Sequence, residues 1–228
     1  MKRVLVDKNI HKSSTEFLSG LGFEIIQTGS IAAINNSTST HPDMQFLKLD
    51  KSKAVVCDEL FDYYTDKLND FKLLSFNKVG DRYPFDCLLN TVLLKNNSIM
   101  TNLQSEYLSD YGILNQIIVK QGYVKCNVCV LNQNAVITSD SGIAKALNNY
   151  GYRVYLLPCD QIKLDGYKNG FWGGCSGLLD ERTLYFNGDI TKLDCFFELK
   201  SILQKEKIEP FYNSEIELTD NGSIIVID

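Results

Sequence analysis

"NVCVLNQNAVIT", residues 127–138, reads as two short β-favouring runs on either side of the polar triplet Asn132, Gln133 and Asn134. A turn-forming triplet between apolar runs is hairpin grammar. The same grammar occurs at "QFLKL-DKS-KAVV" (45–56), "NTVLL-KNN-SIMT" (90–101), "CSGLL-DER-TLYF" (175–186) and "EIELT-DNG-SIIV" (215–226). Each copy has five residues, a three-residue turn and four more. Self-similarity at a period of roughly 40 residues indicates a repeat architecture.

The segments between hairpins also recur. A helical stretch comes first: 13–21, 64–71, 105–112, 139–151 and 195–207. A strand-like run follows: 23–28, 71–76, 116–120, 152–157 and 208–212. Ser13 with Glu16, and Ser139 ahead of "GIAKAL", read as helix caps. The run "VLV" (4–6) can lie beside "IIVI" (224–227) and close the circle, which removes exposed sheet edges. The expectation is one domain over residues 1–228, a five-bladed α/β propeller of helix–strand–hairpin units with pseudo-five-fold symmetry.

The hairpins' first strands share a column. Its members are Gln45, Asn90, Asn127, Cys175 and Glu215, all polar or thiol. Two residues earlier stand Asp43, Leu88, Lys125, Gly173 and Asn213. Polar groups in one register of otherwise apolar strands need partners. In a ring, a polar centre supplies them. Strict strand alternation would turn Cys126 away from that centre unless a bulge intervenes.

Composition narrows the function classes. The net charge of −5 leaves no basic footprint, so nucleic acid and anionic membranes are not expected partners. No apolar run approaches the roughly 18 residues of a membrane helix. The start "MKRVLVDKNIHKSS" has too short an apolar patch for a signal peptide, so a cytoplasmic location is expected. The seven cysteines, at 57, 87, 126, 129, 159, 175 and 195, are odd in number and scattered, unlike a disulfide framework. Cys126 and Cys129 form a CxxC with no second pair at finger spacing, so neither a metal nor a cofactor is expected. "GGCSG" (173–177) lacks the Lys-Ser/Thr of a phosphate loop and runs into a strand.

Five ββα-type repeats around a polar core resemble the pentein, or guanidine-modifying enzyme, fold. That superfamily contains deiminases, dimethylarginine dimethylaminohydrolases, amidinotransferases and a non-enzymatic ribosome anti-association factor. "HPDMQ" (41–45), "YPFDCLLNT" (83–91), "QGYVKCNVC" (121–129) and "GYKNGFWGGCSGLL" (166–179) look more closely like a clostridial-type family of that fold, one with no activity to transfer. The resemblance implies a small, cationic substrate, attacked at its guanidinium carbon by a cysteine thiolate while a histidine moves protons and carboxylates hold the cation. Cys175 or Cys126 is then the nucleophile, with His41 and Asp43 as acid/base or histidine–carboxylate pair. Asp86, Asn90, Asn127, Gln45, Glu215, Lys125 and Trp172 are the candidate ligand contacts. The sequence departs from the enzymes in two places. Their nucleophile lies in the last repeat and their histidine in a middle one, whereas Cys175 is in the fourth and His41 in the first. The alternatives are a non-catalytic pentein that binds a metabolite or a macromolecule, or a scaffold with a degenerate site. The oligomeric state stays open.

Overall fold

The computed structural model describes residues 2–34 and 37–228. The elements run, in chain order, β1 (Lys2–Val6), α1 (Lys12–Gly20), β2 (Phe23–Gln27), α2 (Pro42–Gln45), β3 (Phe46–Lys48), β4 (Lys53–Cys57), α3 (Phe61–Lys67) and β5 (Lys72–Phe76). They continue with β6 (Val92–Leu93), β7 (Ser98–Met100), α4 (Asn102–Leu108), β8 (Gln116–Ile118), α5 (Val124–Asn127), β9 (Val128–Asn132), β10 (Ala135–Thr138), α6 (Ser141–Asn149) and β11 (Arg153–Leu156). The last are β12 (Ser176–Leu178), β13 (Thr183–Phe186), α7 (Phe196–Glu206), β14 (Glu209–Tyr212) and β15 (Ile225–Val226).

The strands form five three-stranded sheets: β3-β4-β5, β6-β7-β8, β9-β10-β11, β12-β13-β14 and β15-β1-β2. In each blade an inner strand pairs antiparallel with a middle strand. The middle strand pairs parallel with an outer strand, reached through a helix. A parallel neighbour requires such a crossover, which explains the recurring hairpin–helix–strand order. Middle strands are covered on both faces and read as apolar runs: Val4, Leu5 and Val6 in β1, and Ala54, Val55 and Val56 in β4, are fully buried. The crossover helices bury one stripe each, such as Ile143, Ala144 and Leu147 of α6. Apolar side chains gather in several clusters between blades, which leaves the axis free for other chemistry.

Four of the five expected hairpins are present; the fifth is not. Residues 215–221 form no strand, only single bridges from Glu217 to Asp189 and from Thr219 to Lys163. The fifth blade's inner strand is β15, and its antiparallel partner is β1 from the other end of the chain. "DNG" is therefore not a hairpin turn between paired strands, because ring closure claims "IIV" for β1. In the true register Ile225 faces Leu5. Residue 223 then takes the place that Gln45, Asn90, Asn127 and Cys175 hold in the other blades. The fifth member of the polar column is Ser223, not Glu215.

Two caps also differ from expectation. His11 Nδ1, not Ser13, accepts from the backbone at the start of α1. Asp140, not Ser139, caps α6 by accepting from Ile143 N–H at 2.8 Å. Arg3 joins the closure from outside, its guanidinium bridging Asp70 and Asp228.

Candidate functional site

The axial ends of the inner strands are approached through two four-residue helical turns, α2 and α5. Pro42 occupies the first turn of α2, where its missing N–H costs nothing. Strand alternation therefore does not govern residues 42–45 or 124–127. Cys126, which alternation would turn outward, instead faces the axis. Its Sγ donates to Asp43 Oδ2 at 3.1 Å. Ser223 Oγ donates to the same oxygen at 2.8 Å. Asn90 Nδ2 stands 3.1 Å from Cys126 Sγ, while Asn90 Oδ1 accepts the backbone N–H of Lys125 at 2.7 Å and of Cys126 at 3.2 Å. Cys126 of the third blade and Ser223 of the fifth thus converge on the Asp43 carboxylate of the first, and Asn90 of the second braces Cys126. Its other oxygen, Asp43 Oδ1, is buried without a hydrogen-bond partner.

A second carboxylate, Asp220, closes the cluster. Its Oδ1 accepts from Gly222 N–H at 2.9 Å and its Oδ2 from Phe171 N–H at 3.0 Å. It is fully buried, and burial raises its pKa to about 6, with the His41 charge opposing and Asp43 adding to the rise. His41 is 3% exposed, with Nε2 3.9 Å from Asp7 Oδ2 and Nδ1 unpartnered. Asp7 is itself buried, accepts from Asn9 N–H at 2.6 Å and Thr40 Oγ1 at 2.8 Å, and has its pKa raised by burial. The packing is tight. Gly222, at φ +70°, lies against His41, where a Cβ would stand 2.1 Å from His41 Cβ. Ser223 itself adopts φ 73°, a left-handed conformation that is costly for a residue other than glycine.

The cavity beside this cluster is lined by residues of all five inner strands and has a volume of about 340 Å³. Asp43, Lys48, Lys125 and Gln133 supply its ionic and amide groups. Lys48 is half-buried, donates to Val226 O at 2.9 Å, and has its pKa lowered by burial. Neither Lys48 nor Lys125 forms an ion pair among the described residues.

The thiols are not poised as thiolates. Burial pushes the Cys126 thiol well above the usual range, and Asp43 and Asp220 push it further. Cys175 is fully buried beside Trp172 and Cys129, and its S–H points at Trp172 O at 3.4 Å. Burial raises its pKa well above the usual range too. No hydrogen bond joins His41 to either thiol among the described residues.

The remaining sequence candidates divide cleanly. Asn90 belongs to the central cluster, and Lys125 lines the cavity. Gln45 instead binds Gly29 O, Ser39 O and the Tyr64 hydroxyl. Asn127 donates to Tyr123 O within its own turn. Asp86 accepts from the Tyr123 hydroxyl at 2.7 Å and does not line the cavity. Trp172 is core: its indole N–H meets Leu157 O at 2.7 Å and its ring packs edge-on against Phe186. Glu215 is exposed on the 213–219 loop, because the strand that would have carried it inward does not form. The column thus mostly satisfies backbone carbonyls near the axis; of its members only Ser223 reaches the Asp43 carboxylate, while Asn90 reaches Cys126 Sγ and the Asp43 main-chain carbonyl. Asp7, Asp220 and Ser223 join the cluster without a local motif that marks them. The pairing of "VLV" with "IIVI" held the signal, since it makes residue 223, not 215, the counterpart of Asn90.

A five-bladed α/β propeller closed by its own termini around a buried axial cluster is a pentein-type fold. Solved structures of that fold superpose on nearly the whole chain. Inosamine-phosphate amidinotransferase from Streptomyces griseus does so at TM-score 0.63 and 12% identity, over 95% of this chain and 78% of that one. C. jejuni agmatine deiminase gives 0.58 and 7% over 95% and 80%. DDAH from Pseudomonas aeruginosa gives 0.55 and 8% over 93% and 92%. At these identities the likeness is one of fold. No curated protein matches the chain by sequence. The chain belongs to the DUF6873 family, a family of unknown function, whose profile matches residues 5–225. No described helix is long and apolar enough to cross a membrane.

Proposed function

We propose that the central cavity binds a small planar cation of the guanidino class, anchored on the free oxygen of Asp43. One observation carries this reading: Asp43 lines the cavity, one of its oxygens is held by Cys126 and Ser223, and the other is buried without a partner. An unpaired buried acceptor is costly, and a ligand N–H⁺ offsets that cost with a charge-assisted hydrogen bond. Asp7, Asp43 and Asp220 outnumber His41 in the buried cluster, and Asp43 brings that negative charge to the cavity wall. Lys48 and Lys125 on the same cavity suit a ligand that also carries an acidic group. The solved amidinotransferase and agmatine deiminase share this fold, a likeness that supports the reading.

The reaction that fits is covalent. Cys126 Sγ forms a bond to the guanidinium carbon, the carbon–nitrogen bond breaks, and the thiol proton leaves on the departing amine. Water or a second amine then displaces the sulfur. The bound cation supplies the positive charge that the apo site denies the thiol. A second reading, binding without turnover, is favoured by the raised Cys126 pKa and by its S–H being committed to Asp43.

Alkylation tests the site. A chloroacetamidinium reagent should label Cys126 at least about tenfold faster than neutral chloroacetamide, and Asp43→Asn should remove the difference. Equal rates for the two reagents in the parent chain refute the cation site. Preferential labelling without release of an amine from guanidino acids selects the binding reading. The same rates in Cys175→Ala as in the parent are expected, since Cys175 lies in the core.

A further inference from the structure

All seven cysteines are free, and only Cys159 and Cys195 are part-exposed. Cys159 follows β11 on the connection between two blades, and Cys195 immediately precedes α7 in the next blade. Both thiols pack on one core cluster, close enough for each to perturb the other. The two segments are tied beside them, where Gln161 Oε1 accepts from Asp194 N–H at 2.8 Å. Neither thiol takes part in the axial site.

We infer that Cys159 and Cys195 form a reversible disulfide, a redox modification site that tethers the 157–170 connection to α7. The direction of attack follows from the surroundings. Cys195 and the backbone N–H groups of Gln161 and Ile162 stabilise a Cys159 thiolate against burial and the Asp160 charge, which lowers its pKa. The Cys159 neighbour and burial correspondingly raise Cys195. A thiol of that kind is the attacking one in thiol–disulfide exchange. Cys159 attacks a small disulfide of the oxidised-glutathione class, breaking its S–S bond and releasing one thiol. Cys195 loses its proton, attacks the Cys159 sulfur and releases the second. Two protein thiols are oxidised and one small disulfide is reduced to two thiols.

The tether reaches the axial site through the backbone. Lys163 N–H donates to Leu218 O at 2.9 Å, and Asp220 N–H donates to Lys163 O at 2.8 Å. Phe171, beyond the same connection, donates to the Asp220 carboxylate. Fixing residue 159 to α7 therefore fixes the segment that holds Asp220.

The experiment exposes the fully reduced chain to oxidised glutathione, blocks residual thiols, and reads intact mass and mapped peptides. The expected product has lost two hydrogens, carries a 159–195 cross-linked peptide, and returns to the dithiol with dithiothreitol. Its Tm is expected to rise by roughly 5–10 °C, as closing a loop of this length restrains the unfolded chain. Cys195→Ser should instead keep a glutathione adduct on Cys159. A parent chain that stays reduced, that keeps unresolved glutathione, or that joins either thiol to another cysteine overturns the assignment. An unchanged Tm on clean disulfide formation overturns the tethering role.

Discussion

Replacing Gly174 by alanine tests how rigidly the axial cluster is built. A Cβ at this position would stand 2.0 Å from Asp220 Oδ1 and 2.2 Å from its Cγ. One of the two residues must yield. Gly174 is held on both sides: its N–H donates to Cys126 O at 2.8 Å, and its carbonyl accepts from Ser223 N–H at 2.7 Å and Asn221 N–H at 3.2 Å. The Asp220 carboxylate must therefore swing away and lose the N–H donors of Phe171 and Gly222. Overpacking costs about 1–3 kcal/mol. Each lost hydrogen bond to a charged group costs about 1.5–3 kcal/mol. Partial relaxation leaves a total of roughly 3–6 kcal/mol, a large share of the stability of an ordinary domain. Urea denaturation followed by fluorescence suits the measurement, because Trp172 is the sole tryptophan and is fully buried. Gly20→Ala is the matched control: at the end of α1 nothing lies within 4 Å of the new Cβ, and a change of under about 1 kcal/mol is expected. A Gly174→Ala chain within about 1 kcal/mol of the parent would refute the clamp and with it the close packing of Asp220.

Two further outcomes follow from the same geometry. The folded-state pKa of Asp220, about 6, lies above the ordinary carboxylate value of 3.8, so folding takes up a proton between those values. Its contribution is complete below about pH 4 and is lost as the pH rises through 6, a fall of order 3 kcal/mol. The stability difference between the parent and Asp220→Asn should follow that curve, and parallel pH profiles would contradict the buried acid. Arg3→Ala should cost about 1–2 kcal/mol by opening the bidentate contact to Asp70 and the contact to Asp228. Part of that loss should vanish in high salt, since Asp70 is largely exposed. A salt-independent loss would assign the effect to packing of Arg3 over Phe71 instead.

Much of the ring was legible because its grammar is local. A three-residue polar turn between apolar runs needs only neighbouring residues to form a hairpin, as when Asp180 Oδ1 accepts from Arg182 and Thr183 N–H. Helices with one apolar stripe and parallel outer strands follow from the same short-range pattern. The false fifth hairpin arose from that grammar as well: "EIELT-DNG-SIIV" fits it, but β1 competes for "IIV" from the far end of the chain. Likewise strand alternation would turn Cys126 outward, while α5 gives it a helical turn's direction.

Local pattern therefore sufficed for the repeat and for four of the five hairpins. The sequence also brought Asp43 and Cys126 forward among the candidates. Only the tertiary structure decided that these two residues, 83 positions apart, share a hydrogen bond, and that Ser223, 180 positions from Asp43, completes the contact. The reason is physical. Strand and turn formation is set by side chains within a few residues, whereas an axial site is set by where five separate blades place their ends once the ring closes. No periodicity within one repeat encodes that meeting point.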